Sequence, residues 1–440
     1  MARRMALSAV GPAVTDTTRE TVHWAVAQGA PTLVLRRAAA RGDLQARLVF
    51  VGSRGTDEVF DLIEEIRSHG PLYRSRLGHV ATSHAAVREL LTSEDFRTGF
   101  PTDRGPVGRI ADLTAPRTLH PVEPPSLLVT EPPDHTRYRR LVTRVFTMRA
   151  VERLRERTEE IAAGLLDDLE PRASSSTDLV EAYCALLPVT VIAEVLGVPE
   201  AERARVLDFG SAAAPSLDIG LGYRRYREVS RALAQFDAWL GQHLDTLRRQ
   251  PGDDLLSQLV AVRDEGRGLS ETELKATAGL VLAAGFETTV NLLGNGIALL
   301  HGHPEQRARV VADPDLWPTV VEEVLRLDPP VLLTGRMARR DTTLVGERVL
   351  AGSMVTGILA GANRDPEVFA EPRRFDVARA NARDHLSFSA GRHHCLGAQL
   401  ARMEGEVGLR AIWDRFPDLR LGVMPRQVVQ PGDGCLLADC

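Results

Sequence analysis

The sequence predicts a mainly α-helical protein with a smaller β-rich lobe. Several long segments carry apolar residues at the spacing of an α-helix, and the longest runs from Ser270 without a proline until Pro304. Short runs of β-forming residues are found mainly within residues 70–82 and 330–360. With 440 residues, of which 44% are hydrophobic, the chain is also long enough to bury a large core. Helices therefore account for most of the predicted fold, and the two strand regions for its lobe.

Composition and charge exclude several classes of partner. The chain has 54 basic and 59 acidic residues, and its small formal charge of −5 gives no reason to expect nucleic acid as a partner. No stretch approaches the roughly 18 apolar residues of a membrane span, and no signal-peptide core is recognised. The cysteines are too few and too irregular for a disulfide framework, which fits a reducing compartment; they are Cys184, Cys395, Cys435 and Cys440. We therefore expect a soluble, cytoplasmic protein.

The N-terminal residues predict an extension before the main unit. We expect residues 1–48 to form a helical extension and residues 49–440 to form a single unit. A peripheral membrane contact is the alternative for the extension, because Trp24, Val26 and Leu35 are apolar.

The segments that follow predict a helix, a strand pair and a second helix. Residues 57–68 have apolar side chains on one helical face, and Gly70-Pro71 ends that helix. Residues 72–80 carry β-forming residues, and residues 83–91 predict the next helix. Residues 97–130 are rich in proline and glycine, so we expect a functional loop over a pocket, with a disordered insert as the alternative.

A basic helix is predicted to open within residues 131–140. Prolines and acidic residues are well tolerated in and before a first turn, and both occur there. His135 and Arg139 are four residues apart, so their side chains share a face of this helix. That face is either a binding surface or an ordinary solvated basic surface.

Further helices are predicted up to the middle of the chain. Residues 151–167 and 177–197 have amphipathic patterns, and more helices follow to about residue 250. Between Gly210 and Gly222 a proline and several glycines separate two of them.

The helix from Ser270 carries small residues near its middle. Ser270 and Glu273 form a capping box, and some 30 residues of helix would span roughly 45 Å. Ala284 and Thr288 share a face, and Ala284 is small enough for a flat cofactor to press against it. A mid-helix threonine can also bond its own backbone. A core helix with a seam of small residues is the alternative.

The next motifs are weaker by themselves. Glu323 and Arg326 have the spacing of an i,i+3 ion pair, which is frequent on exposed helices. Residues 341–358 predict short strands with turns at Gly346 and Gly352.

The most specific stretch surrounds a single cysteine. Gly391 and Gly397 allow a tight loop around Cys395, and helical periodicity begins near Gln399, so the sulfur would face a helix N-terminus that favours the thiolate. Phe388 can shield that sulfur from water. A buried free cysteine is the alternative, whereas a zinc site at His393, His394 and Cys395 is disfavoured because no second ligand pair is present.

The spacing Phe-x-x-Gly-x-x-x-Cys-x-Gly resembles the haem loop of the cytochrome P450 family. Three further motifs stand in the family's order, namely Pro-Pro-x-His-x-x-x-Arg, Ala-Gly-x-Glu-Thr and Glu-x-x-Arg. The resemblance covers about residues 70–438 and implies the cytochrome P450 fold. It also implies one haem b between the Cys395 loop and the helix of Thr288.

The resemblance implies a role for each matching residue. Cys395 would be the iron ligand. Thr288 with Glu287 would relay protons during catalysis. Glu323 and Arg326 would form a buried structural network with an arginine of residues 371–376, for which we expect Arg374. The remaining expected haem contacts are His135, Arg139, Ala284, Arg336, Phe388, Gly391, His393 and Gly397, and Arg392 could add a further one.

The implied reaction is insertion of one atom of O2 into a small apolar organic substrate. The loop at 97–130 and a mobile cover at 205–226 would border the pocket, with Phe286, Val331, Leu332 and Leu333 as apolar candidates. No Gly-rich dinucleotide motif is visible, so a separate ferredoxin and reductase are implied, docking on a basic surface that includes Arg392 and the arginines of residues 137–144. A peroxide-driven oxygenase and a haem-binding sensor or carrier remain alternatives.

Overall fold

The computed structural model describes residues 12–52, 58–98, 105–115, 120–121, 123–172, 177–217, 220–263 and 266–422. Within these ranges most residues are helical, and the strands are short and lie in two stretches, residues 73–97 and 334–357. The helices in chain order are α1 (Pro12–Trp24), α2 (Ala30–Ala40), α3 (Leu44–Gly52), α4 (Glu58–Ser68), α5 (His84–Thr92), α6 (Gly105–Thr114), α7 (Asp134–Val145), α8 (Met148–Leu169), α9 (Leu186–Val195), α10 (Arg203–Ala213), α11 (Tyr223–Arg249), α12 (Leu255–Ala261), α13 (Glu271–Gly302), α14 (Pro304–Ala312), α15 (Trp317–Leu327), α16 (Leu359–Ala362) and α17 (Ala398–Arg415).

The strands of the described residues form two sheets, of which one is mixed and the other is antiparallel. Their bounds are β1 (Tyr73–Arg74), β2 (His79–Ala81), β3 (Phe96–Arg97), β4 (Thr334–Ala338), β5 (Thr342–Leu344), β6 (Glu347–Val349) and β7 (Met354–Gly357). One sheet has the order β1-β2-β7-β4-β3, in which only β2 and β7 run parallel. The other pairs β5 with β6. Gly346 and Gly352 have φ angles of 83° and 79°, so each turn uses a backbone conformation that glycine adopts without strain. A mainly α-helical fold with a β-rich lobe is confirmed.

Helix α13 passes through the largest hydrophobic core. The Ser270 side chain accepts a hydrogen bond from the Glu273 N–H, and Glu273 bonds back to the Ser270 N–H, so the predicted capping box is present. The helix is long and apolar enough to cross a membrane, but 61% of its most apolar window is buried inside the protein. Such burial is expected of a core helix in a large unit. The same core includes Phe388 and Cys395.

Three segments differ from the sequence prediction. Residues 97–130 contain α6, whose ten residues have a helical apolar pattern that the surrounding prolines and glycines obscure; residues 99–104, 116–119 and 122 lie outside the described part. Helix α10 continues to Ala213, and a 3₁₀ turn reaches Leu217, so the break after Gly210 is shorter than predicted. Residues 180–184 form a π-helical turn before α9. The division of the chain after residue 48 stays a prediction; Leu48 itself lies within α3.

Candidate functional site

The Cys395 loop is fixed by its own backbone and by α5. The Cys395 N–H donates to the Phe388 carbonyl at 2.9 Å, which closes the loop just before α17. Gly391 has a φ angle of 69°, and a Cβ there would lie 2.7 Å from the Leu91 carbonyl oxygen. Only glycine therefore fits at this position. Cys395 is 8% exposed and stands at the N-terminal end of α17, where the helix dipole favours a thiolate.

Phe388 covers one side of this loop. Its ring centroid lies 4.5 Å from the Arg402 guanidinium carbon and 6.4 Å from the His394 ring. The side chain is 7% exposed and lines the same cavity as Cys395. These contacts hold the ring where it excludes water from the region of the sulfur.

A cavity separates the Cys395 loop from α13. Residues of both elements line it, among them Cys395 and Leu396 of the loop and Ala284 of α13. Its walls are mostly apolar, and the polar side chains among them are Thr277, Thr288, Thr289, Ser387 and Glu404. Of the predicted apolar candidates, Val331 lines the cavity, whereas Phe286, Leu332 and Leu333 are not among the described lining residues.

Helix α13 presents small residues to this cavity. Ala284, Gly285 and Thr288 all line it, opposite the residues of the Cys395 loop. The Thr288 hydroxyl donates to the Ala284 carbonyl at 2.7 Å, as a mid-helix threonine is expected to do. Glu287 is half-buried in the same turn and is not among the described lining residues. A flat ligand between Ala284 and Cys395 would therefore meet small side chains on the α13 side.

Basic side chains collect beside the cavity. His135 is 3% exposed, its Nε2 has no hydrogen-bond partner among the described residues, and its ring centroid is 4.4 Å from that of His393. Burial, with the positive charges of His393 and Arg139, lowers the pKa of His135 to about 4. Arg139 donates to the His394 carbonyl at 2.6 Å. The buried Nε2 of His135 therefore lies near basic side chains and lacks a hydrogen-bond partner among the described residues. An anionic ligand could supply that hydrogen bond.

Arg336 belongs to strand β4 of the β-rich lobe. The residue is 3% exposed, and its Nη1 lies 2.9 Å from both the Thr334 Oγ1 and the Gly335 carbonyl. It stands opposite Val355 in the β4–β7 ladder, which fixes its backbone. The sheet thus supplies an arginine whose position does not depend on a loop.

Glu131 balances part of this positive charge, and the sequence analysis did not single it out. Its carboxylate lies 3.3 Å from Arg392 and 3.4 Å from His393, and it accepts a hydrogen bond from the Thr98 N–H at 2.8 Å. Burial alone would raise the pKa of Glu131, but the hydrogen bonds from His393 and Thr98 lower it to about 2. The signal that could have found it is its place directly before the Pro-Pro that opens α7.

Glu323 and Arg326 form a buried ion pair on α15. Both side chains are fully buried, and the two hydrogen bonds between them measure 2.7 and 2.8 Å. The guanidinium also donates to the carbonyls of Asn363, Pro372 and Arg374. This network ties α15 to the segment that precedes the Cys395 loop.

The expectation that Arg374 joins this pair is wrong. The Arg374 guanidinium lies at the surface, 54% exposed, and bonds Glu371 at 2.8 Å. Arg379 instead contacts the Glu323 carboxylate at 3.0 and 3.1 Å from a side chain that is 8% exposed. The chain turns between these two arginines, so the residue that points inward could not be chosen from spacing.

A second buried acid network supports Phe388. Glu322 bonds His385 at 3.0 Å and Arg402 at 2.8 Å, and Arg402 covers the Phe388 ring. Burial would raise the pKa of Glu322, but the hydrogen bonds from His385 and Arg402 lower it to about 2. The sequence analysis missed this network because two consecutive glutamates in a helix are usually exposed, and nothing in the sequence marks Glu322 as buried.

The side chains present fit haem b. Cys395 offers a thiolate ligand, Ala284 leaves space for a flat ring, and the partnerless nitrogen of His135 stands where carboxylates would bind. A Cβ on Gly397 would lie 3.9 Å from the Cys395 sulfur, so glycine keeps the space beside the sulfur open. No other donor set of three or more His, Cys, Asp or Glu side chains suits a metal among the described residues.

Comparison with known proteins gives the same answer. The sequence profile of the family described as Cytochrome P450 matches residues 215–427. The chain is 51% identical over 407 residues to a protein named Putative cytochrome P450 140 from Mycobacterium tuberculosis, covering 91% of this chain and 92% of the relative. It is 39% identical over 346 residues to the 6-deoxyerythronolide B hydroxylase of Saccharopolyspora erythraea, covering 78% and 83%. The crystal structure of CYP109E1 from Bacillus megaterium in complex with testosterone aligns with a TM-score of 0.73 at 29% identity, covering 83% of this chain and 93% of that chain. The chain therefore belongs to the cytochrome P450 family, as a monooxygenase that binds haem b.

Proposed function

We propose that this monooxygenase inserts one atom of O2 into a small apolar organic substrate in the cytoplasm, with electrons from a separate ferredoxin and its reductase. The observation that carries the proposal is the cavity between Cys395 and Thr288, whose walls are mostly apolar. Such a lining favours substrates that gain free energy by leaving water. The names of the relatives, a 6-deoxyerythronolide B hydroxylase and a testosterone complex, support an apolar organic substrate.

The haem would lie between α13 and the Cys395 loop. Its iron, bound by the Cys395 thiolate, would supply the oxygen chemistry, because thiolate ligation favours O–O cleavage. Its carboxylates would bind His135, Arg139, Arg336 and His393. Ala284, Phe388, Gly391 and Gly397 would shape the space around the ring.

Thr288 would hold and move protons on the side of the cavity that faces away from Cys395. Its hydroxyl now donates to the Ala284 carbonyl, so its oxygen lone pairs remain available to accept from a water in the cavity. Glu287, in the same turn, would supply protons to that position.

Substitution of Thr288 tests this function. Thr288→Ala should keep oxygen consumption with a surrogate ferredoxin and reductase while product per electron pair falls by at least about tenfold, because a positioned proton donor contributes this much or more. Thr288→Ser retains the hydroxyl and should retain the coupling. The measurements are NADPH oxidation, peroxide release and product yield with a substrate that shifts the haem spectrum.

The thiolate is checked independently. The ferrous carbon monoxide spectrum should show the red-shifted band of a thiolate-bound haem in wild type, and Cys395→His should abolish it.

Unaltered coupling in Thr288→Ala would remove this residue from proton transfer. Equal product yield with peroxide alone would favour the peroxide-driven reaction, and a wild type without product across a broad substrate library would contradict the oxygenase function.

A further inference from the structure

The N-terminal helices bind α6 on one side. Arg19 Nη2 donates to the Ala115 carbonyl at 3.0 Å, just past the end of α6. His23 Nδ1 lies 3.2 Å from the Ala111 carbonyl, and His23 is 7% exposed. Helix α1 is therefore held against the C-terminal end of α6 through carbonyls at that end.

The same helices bind the connection between α10 and α11 on the other side. Trp24 Nε1 donates to the Leu221 carbonyl at 2.7 Å, and its ring meets that of Tyr223 edge-on at a centroid distance of 5.3 Å. Gln28 Oε1 accepts from the N–H groups of Gly220 and Leu221 at 2.8 and 3.3 Å. A Cβ on Gly220 would lie 3.0 Å from the Thr32 hydroxyl, so α2 closes tightly over this point.

The connection lies against a wall of the cavity. A Cβ on Gly210 of α10 would approach a methyl of Leu282 to 3.3 Å, and the 3₁₀ turn Ala214–Leu217 also contacts α13. Leu280, Val281 and Ala284 of the same helix line the cavity. Displacement of the connection would therefore expose part of the helix that forms one wall of the cavity.

A short connection with glycines and little regular structure opens at low free-energy cost unless other contacts hold it. Cys395 is 8% exposed, so a ligand must displace some segment to reach it. The hydrogen bonds of Trp24 and Gln28 oppose displacement of the α10–α11 connection. A small ligand needs a smaller opening than a bulky one, so such bonds would discriminate by size.

We propose that residues 12–40 form a clasp, defined as α1, the π-helical turn Ala25–Gly29 and α2, which joins α6 to the α10–α11 connection and limits the size of substrates that reach the cavity. Trp24 and Gln28 are then specificity-determining residues that never touch the substrate. The selectivity part of this inference rests on the proposed function, because only a substrate route gives the clasp something to select.

Two variants with matched controls test the clasp on the full chain. Gln28→Met removes the acceptor of two backbone N–H groups at nearly constant volume, whereas Gln28→Glu keeps an acceptor oxygen in the same place. Trp24→Phe removes the Nε1–H donor together with part of the ring. Leu33→Ala is the control on α2, because Leu33 is 49% exposed.

The first measurement is hydrogen–deuterium exchange, which requires no substrate and no turnover. Gln28→Met and Trp24→Phe should raise the exchange rate of amides within residues 220–226 about fivefold, since each lost hydrogen bond contributes about this factor to local protection. Gln28→Glu and Leu33→Ala should exchange as wild type does. Unchanged exchange in both Gln28→Met and Trp24→Phe would overturn the clasp.

The second measurement is the rate of the haem spectral shift on mixing with imidazole or with clotrimazole. The clotrimazole rate should rise about fivefold relative to the imidazole rate in Gln28→Met and remain unchanged in Gln28→Glu. Faster amide exchange with an unchanged ratio would reduce the clasp to a stabilising contact and overturn its role in selectivity. A wild type that oxidises no substrate would contradict the proposed function and leave both measurements interpretable.

Discussion

At the scale of single residues, Glu404 is the least expected group of the site. It follows Cys395 on α17, is 2% exposed and lines the cavity. Burial raises the pKa of Glu404 to about 8, and a hydrogen bond with Thr289 offsets this only in part. Its Oε1 has no hydrogen-bond partner among the described residues. The carboxyl is therefore mostly neutral at physiological pH, and in that form it can donate a hydrogen bond.

The raised pKa of Glu404 makes stability depend on pH. Because its folded pKa of about 8 exceeds the unfolded value of 4.5, the folded chain holds more protons between these values, and stability falls as pH rises through this window. Glu404→Gln cannot ionise, so it should lose this decline and be more stable than wild type at pH 8 relative to pH 5. Urea unfolding of both proteins at the two pH values measures the difference. If the free energy of unfolding changed equally in both proteins between pH 5 and pH 8, Glu404 would be ionised in the folded protein.

At the scale of elements, the α15 network predicts a sharp contrast between two arginines. Arg379→Ala removes a partner of the fully buried Glu323 and should lower the free energy of unfolding by about 3 kcal/mol. Arg374→Ala affects only a surface pair and should unfold at the same urea concentration as wild type. Haem content after purification gives a second reading of the same contrast. Similar losses in both variants would contradict the observed partners.

Elements whose signal is local could be predicted, and those that depend on distant partners could not. The helix at residues 57–68 and the helix from Ser270 carry their periodicity and caps within their own sequence, and both are present as α4 and α13. The break after Gly210 looked longer than it is because helix ends depend on tertiary packing more than on glycine content. Cys395 and Thr288 were placed by motifs, but the partners of Glu323 come from another segment, where spacing carries no information.

At the scale of the whole molecule, the small net charge hides a strongly basic region. A groove is lined by Arg137, Arg140, Arg339, Arg340 and Arg392, with Glu94 as its acidic side chain among the described residues. Arg140 also lines the adjacent groove, which includes His135 and Arg139. An acidic ferredoxin would be attracted to this side, close to the residues proposed to bind haem carboxylates.

The groove predicts salt-dependent electron delivery. Turnover at limiting ferredoxin should fall as ionic strength rises, because exposed charges more than about 10 Å apart are screened at 0.1 M salt. Arg140→Glu should raise the ferredoxin KM about tenfold at low salt with little change in kcat. Arg224→Glu, at a 96% exposed position on α11 outside the groove, is the matched control. Equal KM values in the two variants would move the docking surface elsewhere.

The two glycines of the Cys395 loop impose different limits on anyone who wishes to redesign it. Gly391 is required by the polypeptide itself, since a larger residue would meet the Leu91 carbonyl at an unfavourable φ. Gly397 has an ordinary φ of −82°, and an added Cβ would meet only the cysteine sulfur, at contact distance. In a library randomised at both codons, clones chosen for folding alone should keep Gly391 and vary at 397. Selection for haem binding, in cells supplied with haem, should restore glycine at 397. The two selections would thus separate the residue that folding requires from the residue that haem binding requires.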